Sequence, residues 1–275
     1  MLARYINLSQ AIERRSSLEA NLQALPVGQW QVQRFEAINT THDVCRRISG
    51  RISAREKACF LSHRSLLTEM LQTGNREPFM VWEDDVMVGQ FAHEAVMRFQ
   101  ATASPDTWDI LYTDLTVPDL GTMLNLMVRA RPLRARRELE VLDLASMPFA
   151  GTIAYLIRPD ALPRVTYFLN SFTSLDEPID SVFRRLIHSG QLKGRALFPF
   201  VTTASAGSIG SQIQPDQTCS TDLAWMLFRM LMSMECNVEK LYPLCNQLSS
   251  AHPDPEASVM GVITAAMLSS QFKPK

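Results

Sequence analysis

The chain has few cysteines, and their spacing suits neither a disulfide framework nor a cysteine zinc site. The odd set of five contains no CxxC pair: Cys45, Cys59, Cys219, Cys236 and Cys245. Such a set is typical of reduced thiols in a cytoplasm rather than of a small secreted scaffold. From the cysteine spacing we therefore expect neither redox nor zinc chemistry.

The sequence also lacks long apolar runs and a charge excess of one sign. No uninterrupted apolar run reaches the roughly 18 to 20 residues that span a bilayer, and the first ten residues have no signal-peptide core. The 27 basic and 28 acidic residues nearly cancel, so bulk charge gives no support for a nucleic-acid partner. We expect a cytoplasmic protein, with any membrane contact limited to the surface of the inner membrane.

The composition that remains is that of a globular protein, with 46% hydrophobic and 20% charged residues among 275. Short apolar runs alternate with stretches of helical periodicity over residues 1–205. The runs predicted as strands are RYINL, QVQRFEAIN, PFMVWEDD, WDILYTDL, TIAYLI and RALFPFV. This alternation predicts an α/β domain with a mainly parallel sheet flanked by helices.

Five helices are predicted between these strands, and a different pattern follows them. The helices lie near residues 9–25, 52–75, 93–101, 159–170 and 177–190, the second beginning near Ser53 and ending at Gly74, whereas residues 118–148 show no clear period. Farther along, one helical face is apolar at Leu223, Met226, Leu227, Met230, Leu231 and Met234. That face should pack on the core or on a second copy in a homodimer, with residues 257–270 as the other half of a helical hairpin.

Three adjacent carboxylates, Glu83, Asp84 and Asp85, directly follow the apolar run FMVW. They repel one another and lose hydration if that run is a buried strand, so a positive partner is expected near them. Strand alternation would put Glu83 and Asp85 on one side and Asp84 on the other. Because ligands of open α/β sheets bind at the carboxyl ends of strands, the triplet suits Mg²⁺ or Mn²⁺ with a diphosphate. A solvated acidic turn is the alternative interpretation.

Six segments occur in an order and spacing that resemble a known family: RYINLSQAIERR, ISAREKACFLSHRSLL, FMVWEDDV, WDILY, AGTIAYLIRPDAL and EPIDSVF. The family is glycosyltransferase family 25, the lipooligosaccharide galactosyltransferases and their collagen-modifying relatives, and the resemblance covers about residues 4–212. It implies a GT-A type, Rossmann-like fold, a UDP-sugar donor, most often UDP-galactose, and a divalent cation. It also implies transfer with inversion. We place the transferase domain at residues 1–212 and a C-terminal helical extension at 213–275.

The resemblance assigns roles to individual residues. Asp85 would be the direct ligand of Mn²⁺ or Mg²⁺, Glu83 would complete the metal site or contact the ribose, and Asp84 would support both. The other residues implied to bind the donor are Asn7, Leu8, Arg14, Arg15, Ser62, His63 and Gly151. A hydrogen-bonded core role for His63 and a solvated role for one of the two arginines stay open.

An inverting transferase needs one general base to take the proton of the acceptor hydroxyl. In SLDEPIDSVF the candidates are Asp176, Glu177 and Asp180, and the motif favours Asp180, with Asp114 in reserve. Alternatively, Asp180 only occupies a helix first turn, where acidic residues are favoured. His188 is left out of the metal site because it suits a helix end.

Two further features bear on the acceptor and on the function. Five arginines in residues 129–137 are interpreted either as solvated loop charges or as a patch for a lipid-linked saccharide acceptor or an anionic membrane. The resemblance implies a transferase acting in lipooligosaccharide, LPS or capsule synthesis. The alternatives are a transferase with a protein acceptor and a non-catalytic sugar-binding protein, the latter motivated by Ser9 and Lys57, which depart from the family pattern.

Overall fold

A computed structural model describes residues 1–205, 220–236, 241, 244 and 246, which contain nine strands and eight α-helices. The strands are β1 (Leu2–Asn7), β2 (Gln31–Glu36), β3 (Phe79–Glu83), β4 (Val86–Val88), β5 (Ile110–Tyr112), β6 (Glu140–Asp143), β7 (Ala154–Ile157), β8 (Gly194–Phe198) and β9 (Thr202–Ala204). The helices are α1 (Ile12–Gln23), α2 (Asp43–Arg47), α3 (Ala54–Gln72), α4 (Ala92–Thr102), α5 (Leu120–Arg136), α6 (Leu162–Asn170), α7 (Ile179–His188) and α8 (Ser220–Leu231).

Seven strands form the central sheet in the order β2-β1-β3-β7-β5-β8-β6. Strands β2, β1, β3, β5 and β8 run in one direction, while β7 and β6 run against their neighbours. The short strands β4 and β9 pair separately as an antiparallel ribbon. The predicted mainly parallel α/β sheet is confirmed, and its GT-A type stays a prediction from the resemblance.

Strand β3 shows why its sequence is apolar throughout. Phe79 and Val81 pack in a core with α3, α6 and α7, whereas Met80 and Trp82 pack in a second core with α1 and α4. Because successive side chains point to opposite faces, a strand buried on both sides has no polar position. The first polar residue, Glu83, therefore marks the end of the strand and the edge of the core.

Helix α3 begins where its sequence predicted. The Ser53 hydroxyl accepts from the Glu56 amide at 3.2 Å, and the Glu56 carboxylate accepts from the Ser53 amide at 2.8 Å, which is a complete capping box. Gly74, with φ of +68°, follows the last turn. The register fixed by this cap turns Ser62 and His63 into the protein interior, where both are buried.

No helix or strand was predicted for residues 118–148, yet this stretch contains helix α5 and strand β6. Only three residues of α5 are buried, and Pro132 lies inside the helix, so its apolar period is faint. The five arginines thus lie on a helix and its C-cap rather than in a loop. Two of them pair with acidic neighbours, Arg129 with Glu140 at 2.8 Å and Arg136 with Glu138 at 2.9 Å.

Helix α8 packs on the main core. Its Leu223, Leu227, Phe228 and Leu231 are buried in the same cluster as the residues of α3 and α7. The predicted apolar face is therefore inside the protein along this helix, which ends at Leu231. The predicted partner segment, 257–270, lies outside the described residues. Among the helices of the described ranges, none has the length and apolarity needed to cross a membrane.

Candidate active site

The polar side chains predicted to bind a donor meet at one edge of the central sheet. Asn7 ends β1 and Glu83 ends the adjacent parallel strand β3. Strand β7 runs the other way, so the residues before it, Gly151 and Thr152, reach the same edge as the carboxyl end of β3. In open α/β sheets this edge is where ligands bind.

The triplet of carboxylates divides where β3 ends. Asp84 and Asp85 form the turn between β3 and β4, and both contact Arg14 of α1, whose Nη1 lies 3.1 Å from Asp84 Oδ1 and 3.3 Å from Asp85 Oδ2. Glu83 instead faces α3 and β7. The strand alternation predicted for the triplet is therefore wrong beyond Glu83, since a turn replaces the strand.

Asp84 is held by a second group besides Arg14. The Asn7 amide Nδ2 donates to Asp84 Oδ2 at 2.8 Å, and Asn7 is itself fixed by Arg34, whose Nε donates to Asn7 Oδ1 at 2.9 Å. Burial raises the pKa of Asp84, and the Asn7 and Arg14 contacts oppose that rise. Asp84 thus anchors the turn to β1 and α1, in keeping with the predicted supporting role.

Asp85 carries the least satisfied carboxylate oxygen of the triplet. Its Oδ1 is buried and has no hydrogen-bond partner within the described part of the chain. Burial and the nearby Glu83 raise the pKa of Asp85 to about 7, although Arg14 acts against them. Buried polar atoms without a partner are rare, and ion binding is one explanation for such an atom. A divalent cation bound through oxygen would satisfy this atom.

Glu83 is fixed on the other side of the turn. The Thr152 hydroxyl donates to Glu83 Oε1 at 2.7 Å, and His63 Nε2 lies 3.4 Å from the same oxygen. Burial alone would raise the pKa of Glu83, but His63 and Thr152 outweigh it and lower that pKa. Tyr155 in turn holds His63, with its hydroxyl 2.8 Å from His63 Nδ1. Glu83 is therefore ionised and rigidly placed.

Asp180 lies in the first turn of α7 and is oriented by backbone groups. The Gly151 amide donates to Asp180 Oδ2 at 3.1 Å, and the Ser181 amide donates to Oδ1 at 2.8 Å. Gly151 adopts φ of +94°, which side chains rarely tolerate, so its glycine serves the turn that aims this amide. The pKa of the Cys59 thiol is raised by burial and then by Glu83, Asp180 and Asp85, so that Asp180 lies in the same charged region.

The other two base candidates in this motif face elsewhere. Asp176 is exposed and accepts from the Arg51 amide at 3.0 Å, while Glu177 pairs with Arg185. His188 Nε2 lies 3.0 Å from the carbonyl oxygen of Met147, at the end of α7. Asp180 is thus the carboxylate of the motif that contacts the glycine turn of the site.

Three of the residues implied to bind the donor have structural contacts. The Ser62 hydroxyl accepts from the Ile38 amide at 2.8 Å and donates to the Ala58 carbonyl at 2.7 Å. The Leu8 carbonyl accepts from the Ala11 amide at the start of α1. Burial and Glu19 raise the pKa of Tyr5, and the nearby charges of Arg34 and Arg15 oppose that rise. Their roles toward a donor stay predictions.

Arg229 is a residue of this region that was not predicted from the sequence. This residue of α8 reaches the reserve base Asp114, with Nε 2.8 Å and 2.7 Å from its two carboxylate oxygens. The Asp114 side chain is fully buried, and its carboxylate is paired with Arg229. Asp85 and Glu83 also raise the pKa of Arg229, so its guanidinium group is close enough to interact with these two carboxylates. The available signal was a lone arginine within the apolar run WMLFRMLM.

A comparison with protein families agrees with this geometry. A sequence profile described as glycosyltransferase family 25 (LPS biosynthesis protein) matches residues 3–183. The chain belongs to this family. The matched range holds the carboxylate triplet, Asn7, Arg14 and Asp180, whereas Arg229 lies beyond it. No curated protein gives a significant match to the chain. Family membership identifies a glycosyltransferase of LPS biosynthesis, and the resemblance noted from the sequence is confirmed.

Proposed function

We propose that the protein is an inverting, metal-dependent glycosyltransferase that moves a hexose, galactose in the first place, from its UDP carrier to a saccharide hydroxyl. The acceptor would be a growing lipooligosaccharide, LPS or capsule chain, including lipid-linked forms. The observation that supports this proposal most is the buried Oδ1 of Asp85 beside Glu83 at the sheet edge, which has no hydrogen-bond partner among the described residues. Transferase family membership supplies the reaction class.

The side chains at the turn fit Mn²⁺ or Mg²⁺. Asp85 would hold the cation through Oδ1, and Glu83, kept ionised by His63 and Thr152, would add negative charge or contact the ribose. When bound, such a cation stabilises the charge that develops on the leaving diphosphate. Arg14 already contacts Asp84 and Asp85, so the turn is held in place before a donor arrives.

The positive side chains around the turn would receive the rest of the donor. Arg14 lies at the start of α1, and Arg229 approaches from α8. We assign the diphosphate to the neighbourhood of these two guanidinium groups, since charged donors make the strongest bonds to phosphate oxygens. Asn7 ends β1, and Leu8 and Arg15 come shortly after it; the nucleotide would lie beside these residues.

Asp180 is proposed as the general base. Its two backbone hydrogen bonds fix the carboxylate but leave lone pairs on both oxygens for a further donor. The acceptor oxygen would attack the anomeric carbon as the bond from that carbon to the diphosphate oxygen breaks. Asp180 would take the hydroxyl proton, and attack opposite the leaving group would invert the anomeric configuration.

The test is UDP release from a panel of UDP-sugars by purified protein, with Mn²⁺ or with EDTA. We expect one donor to be hydrolysed slowly with metal. Asp85→Asn should abolish the effect of Mn²⁺, and Asp180→Asn should lower turnover by about 10²- to 10⁴-fold while donor binding persists. Asp43→Asn is the matched control, because Asp43 is exposed and pairs only loosely with Arg47 at 3.6 Å.

Three results would contradict the proposal. Absence of both hydrolysis and donor binding would reject the donor site. Unchanged Mn²⁺ dependence in Asp85→Asn would show that Asp85 is not the metal ligand. Tight metal-dependent binding without turnover on any saccharide acceptor would favour the non-catalytic alternative.

A further inference from the structure

Three potential metal ligands of different chemical types converge between α3 and β3. Cys59 and His63 are four residues apart on α3 and so lie on one face of the helix, and Glu83 ends the strand beside it. The Cys59 sulfur, a His63 ring nitrogen and a Glu83 carboxylate oxygen all lie within 4.8 Å of one another. Helix and strand are both rigid elements, so this grouping does not depend on a loop.

One atom of this group lacks a hydrogen bond. His63 is 1% exposed, and its Nε2 makes no hydrogen bond to any described residue, although Glu83 Oε1 lies 3.4 Å away. Its other ring nitrogen is 2.8 Å from the Tyr155 hydroxyl. Metal-binding histidines are usually held in this way, with one nitrogen fixed by a polar partner and the other directed at the metal.

We propose that Cys59, His63 and Glu83 form a site for a soft divalent cation of the zinc class. Sulfur, imidazole nitrogen and carboxylate oxygen are the three ligand types that Zn²⁺ takes, and three protein ligands leave a fourth position for water. Bonds of about 2.3 Å to sulfur and about 2.0 Å to nitrogen and oxygen require the ligands to close in by about 1 Å.

This site differs in chemistry from the oxygen-only one at Asp85. Mn²⁺ and Mg²⁺ favour oxygen ligands, while a thiolate favours zinc. Spacing between cysteines gave no sign of it, because only one cysteine takes part. The signal in the sequence was a cysteine and a histidine four residues apart in CFLSH.

Glu83 belongs to both ligand sets, so a cation in the zinc-class site would affect the Mn²⁺ site. Zn²⁺ bound there would hold the Glu83 carboxylate toward α3 and weaken Mn²⁺-dependent donor binding. This consequence rests on the proposed function, whereas zinc binding itself does not. If the protein binds zinc but has no transferase activity, the zinc-class site is therefore supported and only the proposed function is rejected.

The experiment uses Co²⁺ as a visible substitute for Zn²⁺ on the reduced, chelator-treated full-length protein. One equivalent of Co²⁺ should produce thiolate-to-cobalt charge-transfer absorption. Zn²⁺ should displace the Co²⁺ and abolish that absorption. Cys59→Ser should lose that absorption. Cys45→Ser is the matched control and should keep it, because Cys45 is a buried cysteine outside this ligand group whose sulfur donates to the Ala54 carbonyl at 3.4 Å. Asp85→Asn should also retain the absorption.

A gentler variant keeps the test decisive if Cys59→Ser fails to fold. Tyr155→Phe removes only the hydroxyl that fixes His63, and it should weaken Zn²⁺ binding by about 10- to 100-fold in competition with a chromogenic chelator. Persistence of the charge-transfer absorption in Cys59→Ser, or unchanged Zn²⁺ affinity in Tyr155→Phe, would overturn the proposal. Absence of any thiolate absorption in the wild type would do the same.

Discussion

The ion pair between Arg229 and Asp114 gives the sharpest prediction of the structure. Asp114 has no exposed side-chain surface, and Arg229 places three nitrogen–oxygen contacts of 2.6 to 2.8 Å on it. Arg229→Met keeps most of the side-chain length and removes the charge. The carboxylate of Asp114 would then be buried without a cation. Removing one partner of a buried pair is far more costly than replacing both.

The size of the effect follows from this asymmetry. Leaving a buried charge uncompensated costs about 3 to 5 kcal/mol of folding free energy. For a chain of this size each kcal/mol moves the melting temperature by about 2 to 4 °C, so the variant should melt about 10 °C lower. Arg229→Met with Asp114→Leu should recover most of the loss, since neither charge remains.

The loss should also depend on pH. Burial raises the pKa of Asp114, and Arg229 is the main interaction that lowers it again. In Arg229→Met the folded-state pKa should rise further above the unfolded value. A carboxyl group with a raised folded-state pKa destabilises the fold increasingly as the pH rises through that pKa. The deficit of the variant should therefore be larger at pH 8 than at pH 5.5.

Urea denaturation at these two pH values measures both effects. Arg47→Met is the matched control, because Arg47 also pairs with an aspartate, Asp43, but on the surface, where such pairs contribute about 0 to 1 kcal/mol. If Arg229→Met costs no more than Arg47→Met, the buried pair does not hold α8 on the sheet. A double variant as unstable as the single one would equally show that the uncompensated charge of Asp114 is not the cause of the loss.

Two further predictions concern the turn and the glycine beside it. Burial and the nearby Glu83 raise the folded-state pKa of Asp85 from 3.8 to about 7. Without a bound metal, in EDTA, the free energy of unfolding should therefore fall as the pH rises toward 7, because the unfolded chain ionises this carboxyl group more easily than the folded one. Thermal melts should show this loss in the wild type and not in Asp85→Asn, and an identical pH profile in both would contradict it. Gly151→Ala should cost about 1 to 2 kcal/mol, because φ is +94°, and should lower turnover more than donor affinity by moving the amide that holds Asp180. Gly28→Ala, at a φ of +83° in an open turn, should cost similar stability and leave kinetics unchanged; equal turnover loss in both variants would sink the positioning role.

Local signals in the sequence predicted much of the fold because they act over a few residues. Ser53 and Glu56 mark the start of α3, and the apolar run before Glu83 marks a strand buried on both faces. Helix α5 escaped prediction because its sequence contains Pro132, a residue that usually ends a helix, and because few of its residues are buried. The reversed direction of β7 had no local signal either, since pairing with β3 and β5 is decided far along the chain.

The site was predictable as a motif but not as an arrangement. The triplet was found from its residue types after an apolar run and Asp180 from the family resemblance, yet what each contacts depends on distant segments. Arg14, implied by the resemblance to bind the donor, forms ion pairs with Asp84 and Asp85, about 70 positions away. Strand alternation also failed at Asp84, because a period of two says nothing about where a strand turns.

The three adjacent carboxylates are tolerated because cationic or hydrogen-bonding groups approach them from three helices. Arg14 of α1 contacts the two aspartates, His63 of α3 lies against Glu83, and Arg229 of α8 exerts its charge on Glu83 and Asp85. Helix α8 lies beyond both residue 183, where the family match ends, and the predicted domain boundary at 212. Residues 1–212 alone would therefore lack one cation of the site and would leave Asp114 buried without its partner. The region around the triplet is electrostatically complete only when α8 is in place.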